Sequence, residues 1–542
     1  MRMNRFISMV KEKQSWVLLA LLIISIGLVR IRLLDVPLER DEGEYAYMGQ
    51  LLLEGIPPYG QAYNMKFPGI YFLYAIILLF GQTHSVIHLA LLIVNAVSIL
   101  FVFLIAKRLF GHRVSVVASA SFAVLSVSYH VEGLWANCEH FILPFALFGV
   151  FLFCIALEKN SASLYGVSGL LFGLALLVKQ HGVFFGIFAL TYLILRSFGG
   201  RHLKQENSLR NIFLFVACMV IPFILVCTYL YYSGVFDKFI FWTFTYATKY
   251  VTQVPLEDAW MNFFSSFHPI IKSTLLLWLL SIFGLLSLVV DPQLKDHRLF
   301  VISFFAFSFL SVCPGLIFRL HYFVLLLPAV SLMMGLGAES LFKLFAKSKF
   351  HAFRIGVPTL TAIIAIFSSF FSHKDVLFDL APATVARIVF GGNPFPESLA
   401  VAEFIKQRTS KHDTIAIIGS EPQIFFYSQR HSASSHIYVY ALMEDQPLAL
   451  TMQQEMARQI EAASPKLLLY VHVLPSWIRR PTSQQFIFEW FAKYSREQYD
   501  LMALVEVARG NQPALFHVGL EASKVQPKSH YWISVYERKG MD

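Results

Sequence analysis

Charge is what this chain of 542 residues has least of: Asp, Glu, Lys and Arg together make up 14% of it. Ordinary soluble domains carry about a quarter. With 56% hydrophobic residues, 53 of them Phe, there is too little polar surface to cover so much apolar side chain in water. A soluble enzyme and a disordered chain are both excluded. Cysteine is scarce as well. The five present are Cys138, Cys154, Cys218, Cys227 and Cys313, all in or at the ends of apolar runs, with no C-x-x-C pair. That excludes a disulfide scaffold and leaves small buried hydrophobes. The long polar C-terminal part has no cysteine, so it is stable without disulfides. Also missing is any Lys/Arg stripe with interleaved aromatics, despite a formal net charge of +10. The basic residues sit in short gaps between apolar runs, where the positive-inside rule places them. Nucleic acid is therefore not an expected partner, and membrane lipids are.

What the chain has in abundance is apolar runs of membrane length, which is about 20 residues. Eleven are expected, at 15–34, 85–107, 114–131, 140–157, 163–180, 182–196, 211–232, 271–290, 299–316, 320–340 and 355–372. The first follows a basic tail with Arg2, Arg5, Lys11 and Lys13 and has no small-residue cleavage site after it. It is expected to be an uncleaved anchor with a cytoplasmic N-terminus. Alternation from there puts Lys107, Arg108, Arg113, Lys159, Arg196, Arg201, Lys204, Arg210, Lys295, Arg298, Lys343, Lys347 and Lys349 on the inner side. Arg30 and Arg32 near the outer end of the first run depart from that pattern, and are expected to snorkel or to face a polar cavity.

The outer side receives a loop at 35–84 and a second, aromatic-rich loop at 233–270. Within the first loop, the stretch 69–80 is apolar but too short to span, and reads as an interfacial or re-entrant helix. From about residue 390 the pattern changes. Amphipathic helical segments at 397–409, 448–463 and 483–494 alternate with short apolar strands at 414–419, 436–440, 466–471 and 501–507. This alternation predicts a small α/β domain. The expected fold is thus a polytopic α-helical membrane domain, 1–389, followed by an extracytoplasmic α/β domain, 390–542. No internal repeat or low-complexity tract is evident.

Four clusters of polar residues fall at the outer face. The sharpest is Leu38 to Tyr45, LERDEGEY, directly after the first membrane helix, with Lys66-Phe67-Pro68-Gly69 shortly beyond it. Asn137-Cys138-Glu139-His140 lies at the mouth of the fourth span, where Glu and His are costly unless paired or wetted. Lys179-Gln180-His181 occupies a tight outer turn, and Arg319, His321 and Tyr322 sit at the outer end of the tenth span. The bland alternatives are a solvated loop for the first, a helix cap by Asn137 for the second and a snorkelling Arg319 for the fourth. Together they imply one cavity with carboxylates and cations, open to the outer side and to lipid. A transporter would favour polar groups at the midplane and internal two-fold similarity, and neither is seen. Such a cavity suits a sugar carried on a polyprenyl phosphate. Lys or Arg can neutralise the leaving phosphate, and one carboxylate can take the proton from an acceptor hydroxyl.

The residues 40–59, RDEGEYAYMGQLLLEGIPPY, followed by KFPGIYFLYA at 66–75, resemble the first extracytoplasmic loop of the GT-C glycosyltransferases. Within these, the chain is most similar to the dolichyl-phosphate-mannose–protein mannosyltransferase family, glycosyltransferase family 39, and more distantly to the aminoarabinose transferase of lipid A. ANCEHF (136–141), GLALLVKQHG (173–182), RLHYFVLLLPA (319–329) and DTIAIIGSEPQIFFYSQR (413–430) extend the likeness over nearly the whole chain. The resemblance implies Asp41 as catalytic base, with Glu42 as the second acidic residue of an Asp-Glu pair. It implies Lys66 as the contact of the lipid-linked phosphate and Glu139 as a site-lining acid. Lys179, Arg319, His321 and Tyr322 become contacts of donor phosphate or sugar. GT-C enzymes differ in metal dependence, so a divalent metal stays open and no other cofactor is implied. The eukaryotic members carry a lumenal β-trefoil where this chain has an α/β pattern, so their acceptor is not carried over.

The expected function is sugar transfer, with inversion, from a polyprenyl-phosphate-linked donor to an extracytoplasmic lipid, glycan or protein, in a bacterial inner membrane. The alternatives are a transporter or flippase for lipid-linked glycans and an envelope glycan polymerase or ligase.

Overall fold

Helices dominate because apolar runs in a bilayer must satisfy every backbone N–H and C=O within themselves. The computed structural model describes residues 2–198, 208–350, 352–508, 510 and 512–540. Six helices among the described residues are long and apolar enough to cross a membrane: Glu12–Arg32, His84–Phe110, Cys138–Lys159, Leu209–Tyr232, Leu327–Phe345 and Ala352–Phe371. A seventh crossing is available if Leu256–Ser273 and Leu275–Val290, bent by 101° at Thr274, count as one broken span. The other expected runs are helical but shorter. His112–Leu125, Ala162–Val178 and Arg298–Leu310 hold 14, 17 and 13 residues. Length therefore supports six or seven crossings by itself, where the hydropathy pattern predicted eleven. Arg201 and Lys204, and the side chains of Arg2, Arg5 and Lys11, lie outside the described residues.

Helices in lipid gain little from hydrophobic exclusion and approach through small residues. Gly173 is such a point: a Cβ there would lie 2.2 Å from the Met219 carbonyl oxygen, so only glycine lets helices Ala162–Val178 and Ser208–Tyr232 pack. Arg30 neither snorkels nor faces a cavity. It is buried, and its guanidinium donates to the carbonyls of Gly133 and Ser126, each at 3.0 Å, tying the first span to the segment before Cys138. Arg32 donates likewise to Leu377 and Leu380.

The outer loop 35–84 is more ordered than expected. Helix Arg40–Leu53 occupies the stretch read as a charged loop, and Gly69–Leu78 is the short apolar helix. Beyond residue 413 a six-stranded sheet forms from β1 (Thr414–Ile418), β2 (His431–Ser432), β3 (Leu467–His472), β4 (Tyr499–Glu506), β5 (Leu515–Val518) and β6 (Trp532–Arg538). Its order is β2-β1-β3-β6-β4-β5, with β1 parallel to both neighbours and the remaining pairs antiparallel. Helices Phe395–Arg408, Ala449–Ala463 and Phe486–Gln498 match the expected amphipathic segments.

One expected strand is not a strand. Residues 436–440 run as a loop into the short helix Tyr440–Met443, because the outer side of β1 is taken by the two-residue β2. β5 and β6 were not expected, and their antiparallel pairing with β4 makes the sheet mixed.

Candidate active site

Helix Arg40–Leu53 starts where Glu39, in extended backbone, accepts the N–H groups of Asp41 and Glu42, while the Glu42 carboxylate accepts the Glu39 N–H. This reciprocal cap fixes the first turn. Helical spacing then sorts the acidic cluster. Asp41, Glu44 and Tyr45 share one face, and Glu42 lies on another. The Glu42 side chain is fully buried, accepting the backbone N–H of Ala136 and meeting His88 Nε2 at 3.0 Å. It ties the helix to the membrane domain and does not line the cavity, so adjacency to Asp41 in sequence does not make a catalytic pair.

Lys66 comes to the other face. Its Nζ lies 3.2 Å from Asp41 Oδ2 and 3.0 Å from Glu44 Oε2, over the Tyr45 ring at 4.7 Å. Tyr71 donates to the second Glu44 oxygen at 2.8 Å, and Tyr45 donates to Asp41 Oδ2 at 3.3 Å. Burial alone would raise the Asp41 carboxyl, but the positive charge of Lys66, with His321 and Lys179 beyond it, outweighs burial and holds it well below the usual carboxylate range. Glu44 is pushed up to about 7, because its burial and the Asp41 charge outweigh Lys66. Two carboxylates on one lysine thus behave oppositely: Asp41 stays ionised and Glu44 exchanges its proton near neutrality.

The other sequence clusters converge on the same cavity. Lys179 Nζ pairs with Glu139 Oε1 at 2.5 Å and sits 4.2 Å over the Tyr322 ring. Glu139 itself is fully buried behind Lys179 and outside the cavity lining. Asn137 does not cap its helix through its side chain. His321 Nδ1 lies 2.7 Å from Glu132 Oε2, and the His181 ring packs on Tyr322 at 4.6 Å. Arg319 differs from all of these. It is exposed to the cavity and has no hydrogen bond or ion pair among the described residues.

The opposite wall belongs to the α/β part. Arg40 reaches across to it, with Nη2 2.7 Å from Glu421 Oε1 and 2.9 Å from Asn393 Oδ1, and Nη1 2.9 Å from the Tyr440 hydroxyl. Its Nε donates to the Ser420 carbonyl. These partners occupy Arg40 with structure. Tyr438 donates to Asp41 Oδ1 at 3.2 Å. Gly43 meets Gln423 so closely that a Cβ would lie 2.5 Å from the Gln423 backbone nitrogen. Farther along the wall, Tyr246 donates to Glu444 at 2.6 Å.

The resulting cavity measures about 570 Å³. Asp41, Lys66, Lys179, Arg319, His321 and Tyr322 all line it, as do Glu39, Glu132, Trp242, Tyr438 and Tyr440. Of the residues expected in the site, only Glu42 and Glu139 are set behind its wall. Glu44, Arg40, Glu132 and Tyr438 were not assigned a role from sequence. The spacing of Asp41, Glu44 and Tyr45 could have revealed Glu44 had 40–53 been read as a helix. Tyr438 left no local signal. Among the described residues no group of three or more His, Cys, Asp or Glu is arranged to hold a metal ion.

Residues 67–232 match the model of the family described as dolichyl-phosphate-mannose-protein mannosyltransferase. That segment contains Glu139 and Lys179 and leaves Asp41, Lys66 and Arg319 outside. No curated protein matches the chain. Among solved structures, ArnT from Cupriavidus metallidurans bound to undecaprenyl phosphate is similar at 14% identity and a TM-score of 0.59, over 95% of this chain and 97% of that one. Its apo form gives 15% identity and a TM-score of 0.56, over 95% and 100%. The archaeal oligosaccharyltransferase AglB from Archaeoglobus fulgidus, in complex with an inhibitory peptide and a dolichol-phosphate, gives 12% and 0.55, over 95% of this chain and 75% of that one. The chain shares the fold of these proteins over 95% of its length, in keeping with the sequence resemblance.

Proposed function

We propose that this chain is a GT-C-type glycosyltransferase. It moves a sugar from a polyprenyl-phosphate-linked donor to a hydroxyl of an extracytoplasmic acceptor, with inversion at the anomeric carbon. The carrying observation is the pairing of an ionised Asp41 with Lys66 in a cavity that also holds the unpaired Arg319. The family match over 67–232 and the fold shared with ArnT and AglB support the same reaction class.

Asp41 accepts the proton of the acceptor hydroxyl as that oxygen bonds to the anomeric carbon. The carbon–oxygen bond to phosphate breaks on the opposite face, and its electron pair leaves on the phosphate. A phosphate leaves without a general acid if its charge is met by cations. Lys66 already divides its ammonium between Asp41 and Glu44, so its main task is to keep Asp41 ionised. Arg319, with every donor uncommitted, is the principal phosphate ligand, aided by Lys179 and His321 on the same wall. The tyrosines and Trp242 lining the cavity offer faces and hydroxyls for the sugar ring. In this reading the polar cavity opens at the outer membrane face, with 1–389 as the membrane domain and 390–542 as the extracytoplasmic domain.

Mass spectrometry of envelope glycolipids and glycoproteins from a deletion strain, complemented with wild type or Asp41→Asn, tests this. A saccharide mass restored only by wild type is expected, because loss of a general base lowers turnover by about 10²–10⁴-fold. Equal restoration by Asp41→Asn at equal protein level overturns Asp41 as base.

A further inference from the structure

We infer that Tyr438, carried by the C-terminal α/β part, is a positioning residue that fixes the Asp41 carboxylate for catalysis. The inference rests on the reading of Asp41 as the general base. Asp41 has two oxygens with different neighbours. Oδ2 faces Lys66 at 3.2 Å and Tyr45 at 3.3 Å, both from the membrane-domain side. Among the described residues Oδ1 has one hydrogen bond, from the Tyr438 hydroxyl at 3.2 Å, 397 residues away in sequence. A carboxylate oxygen can accept twice, so one lone pair of Oδ1 is left for an acceptor hydroxyl. Without Tyr438 the carboxylate is held on the Oδ2 edge alone, and its χ2 torsion is less restrained.

Tyr438 is itself built in. Its ring packs edge-on against Tyr440 at 4.6 Å, and the Tyr440 hydroxyl accepts from Arg40 and donates to the Pro475 carbonyl. Lys66 lies 5.9 Å from the Tyr438 ring centre. Burial, then the negative charge of Asp41, raises the phenol well above its ordinary value, so Tyr438 is a donor at any physiological pH. A base misplaced by even an ångström costs catalysis heavily, which is why a second support on the carboxylate matters. It follows that the site is complete only when the α/β part is docked.

The test compares wild type, Tyr438→Phe and Asp41→Asn as purified full-length protein in detergent, with a polyprenyl-phosphate sugar donor. Tyr438→Phe removes one oxygen and keeps the ring. The expected result is a fall in kcat of about tenfold with donor KM unchanged, the scale of one hydrogen bond to a charged group. Wild-type kcat in Tyr438→Phe, beside an inactive Asp41→Asn, overturns the inference and leaves the proposed function standing. Full turnover in Asp41→Asn overturns the reading of Asp41 as the general base, on which the inference rests. If Tyr438→Phe does not accumulate, 3-fluorotyrosine placed at 438 reports directly. Its ¹⁹F resonance is expected to shift when Asp41→Asn is introduced, and an unmoved resonance overturns the contact.

Discussion

The two walls of the cavity are built on different principles. The membrane-domain wall supplies charge: Asp41, Glu44 and Lys66 in one cluster, Glu139 and Lys179 in another, and Arg319, unpaired among the described residues, on the cavity lining. Near the reacting centre the α/β wall supplies neutral donors, aromatic faces and a docking surface, with Tyr438, Tyr440 and Gln423 as its working parts. Its charge Glu421 is spent on Arg40. The contrast teaches that reactivity and position come from different segments of the chain. Breaking the first wall should change chemistry and breaking the second should change alignment.

After loss of the Asp41 carboxylate itself, the largest effect is expected from Lys66→Met. The methionine fills a similar volume but leaves Asp41 and Glu44 buried with no counter-ion between them. With Lys66 gone, burial is opposed only by His321 and Lys179, so Asp41 rises from below the usual carboxylate range and the ionised fraction of the base at pH 7 falls. Turnover at pH 7 should fall by about 10²–10³-fold. The sign of the pH effect is fixed by the direction of the shift. A raised carboxyl is inactive below its pKa, so activity should recover as pH rises, whereas wild type stays flat over the same range. A pH–rate profile checks this, and a uniform loss at all pH values would assign Lys66 to the phosphate.

Arg319→Ala should act on binding. An unpaired arginine in the cavity offers five donors to a phosphate, and a charge-assisted pair is worth about 1.5–3 kcal/mol. Donor KM is expected to rise by about ten- to a hundredfold, with a smaller change in kcat. Titration with a polyprenyl phosphate lacking the sugar checks the same contact without turnover. An unchanged affinity would return the phosphate to Lys66 and Lys179.

These two walls also differ in how far they could be read from sequence. Hydropathy located the long apolar helices and the four polar clusters, since charges are rare in such a chain and each one stands out, but it read helix Leu256–Ser273 as part of the loop 233–270. Asp41, Lys66, Lys179, Arg319, His321 and Tyr322 all reached the cavity for that reason. Glu42 and Glu139 did not, because a helix phase and a burial depth decide which of two neighbouring carboxylates faces inward. The same lack of phase hid Glu44. β1, β3 and β4 were legible as apolar strands, while 436–440 shows the limit. HIYVY has strand composition, yet tertiary contacts with Asp41 and Arg40 hold it as a loop. Tyrosines in a chain with 23 of them carry no signal until the fold brings one to a carboxylate.

The smallest effect is expected at Gly43, where the walls touch. A Cβ at this position would lie 2.5 Å from both the backbone nitrogen and the Cβ of Gln423, closer than atoms can pack. Gln423 cannot yield easily. It is fully buried, and its Nε2 donates to Ser398 at 2.9 Å and to Glu421 at 2.6 Å. Glu421 in turn holds Arg40, one helical residue from Asp41. In Gly43→Ala the strain must therefore open the seam between helix Arg40–Leu53 and the Gln423 segment. The cost is about 1–3 kcal/mol, the usual range for overpacking. Lys66 keeps Asp41 and Glu44 as partners and Arg319 has no bond to this seam among the described residues, so the charged wall is left intact and turnover should fall only a few-fold. Limited proteolysis should cut between the walls faster than in wild type, at unchanged donor affinity. Wild-type protease resistance in Gly43→Ala would show that the α/β wall is not clamped here, and the division between a charged wall and a positioning wall would lose its structural basis.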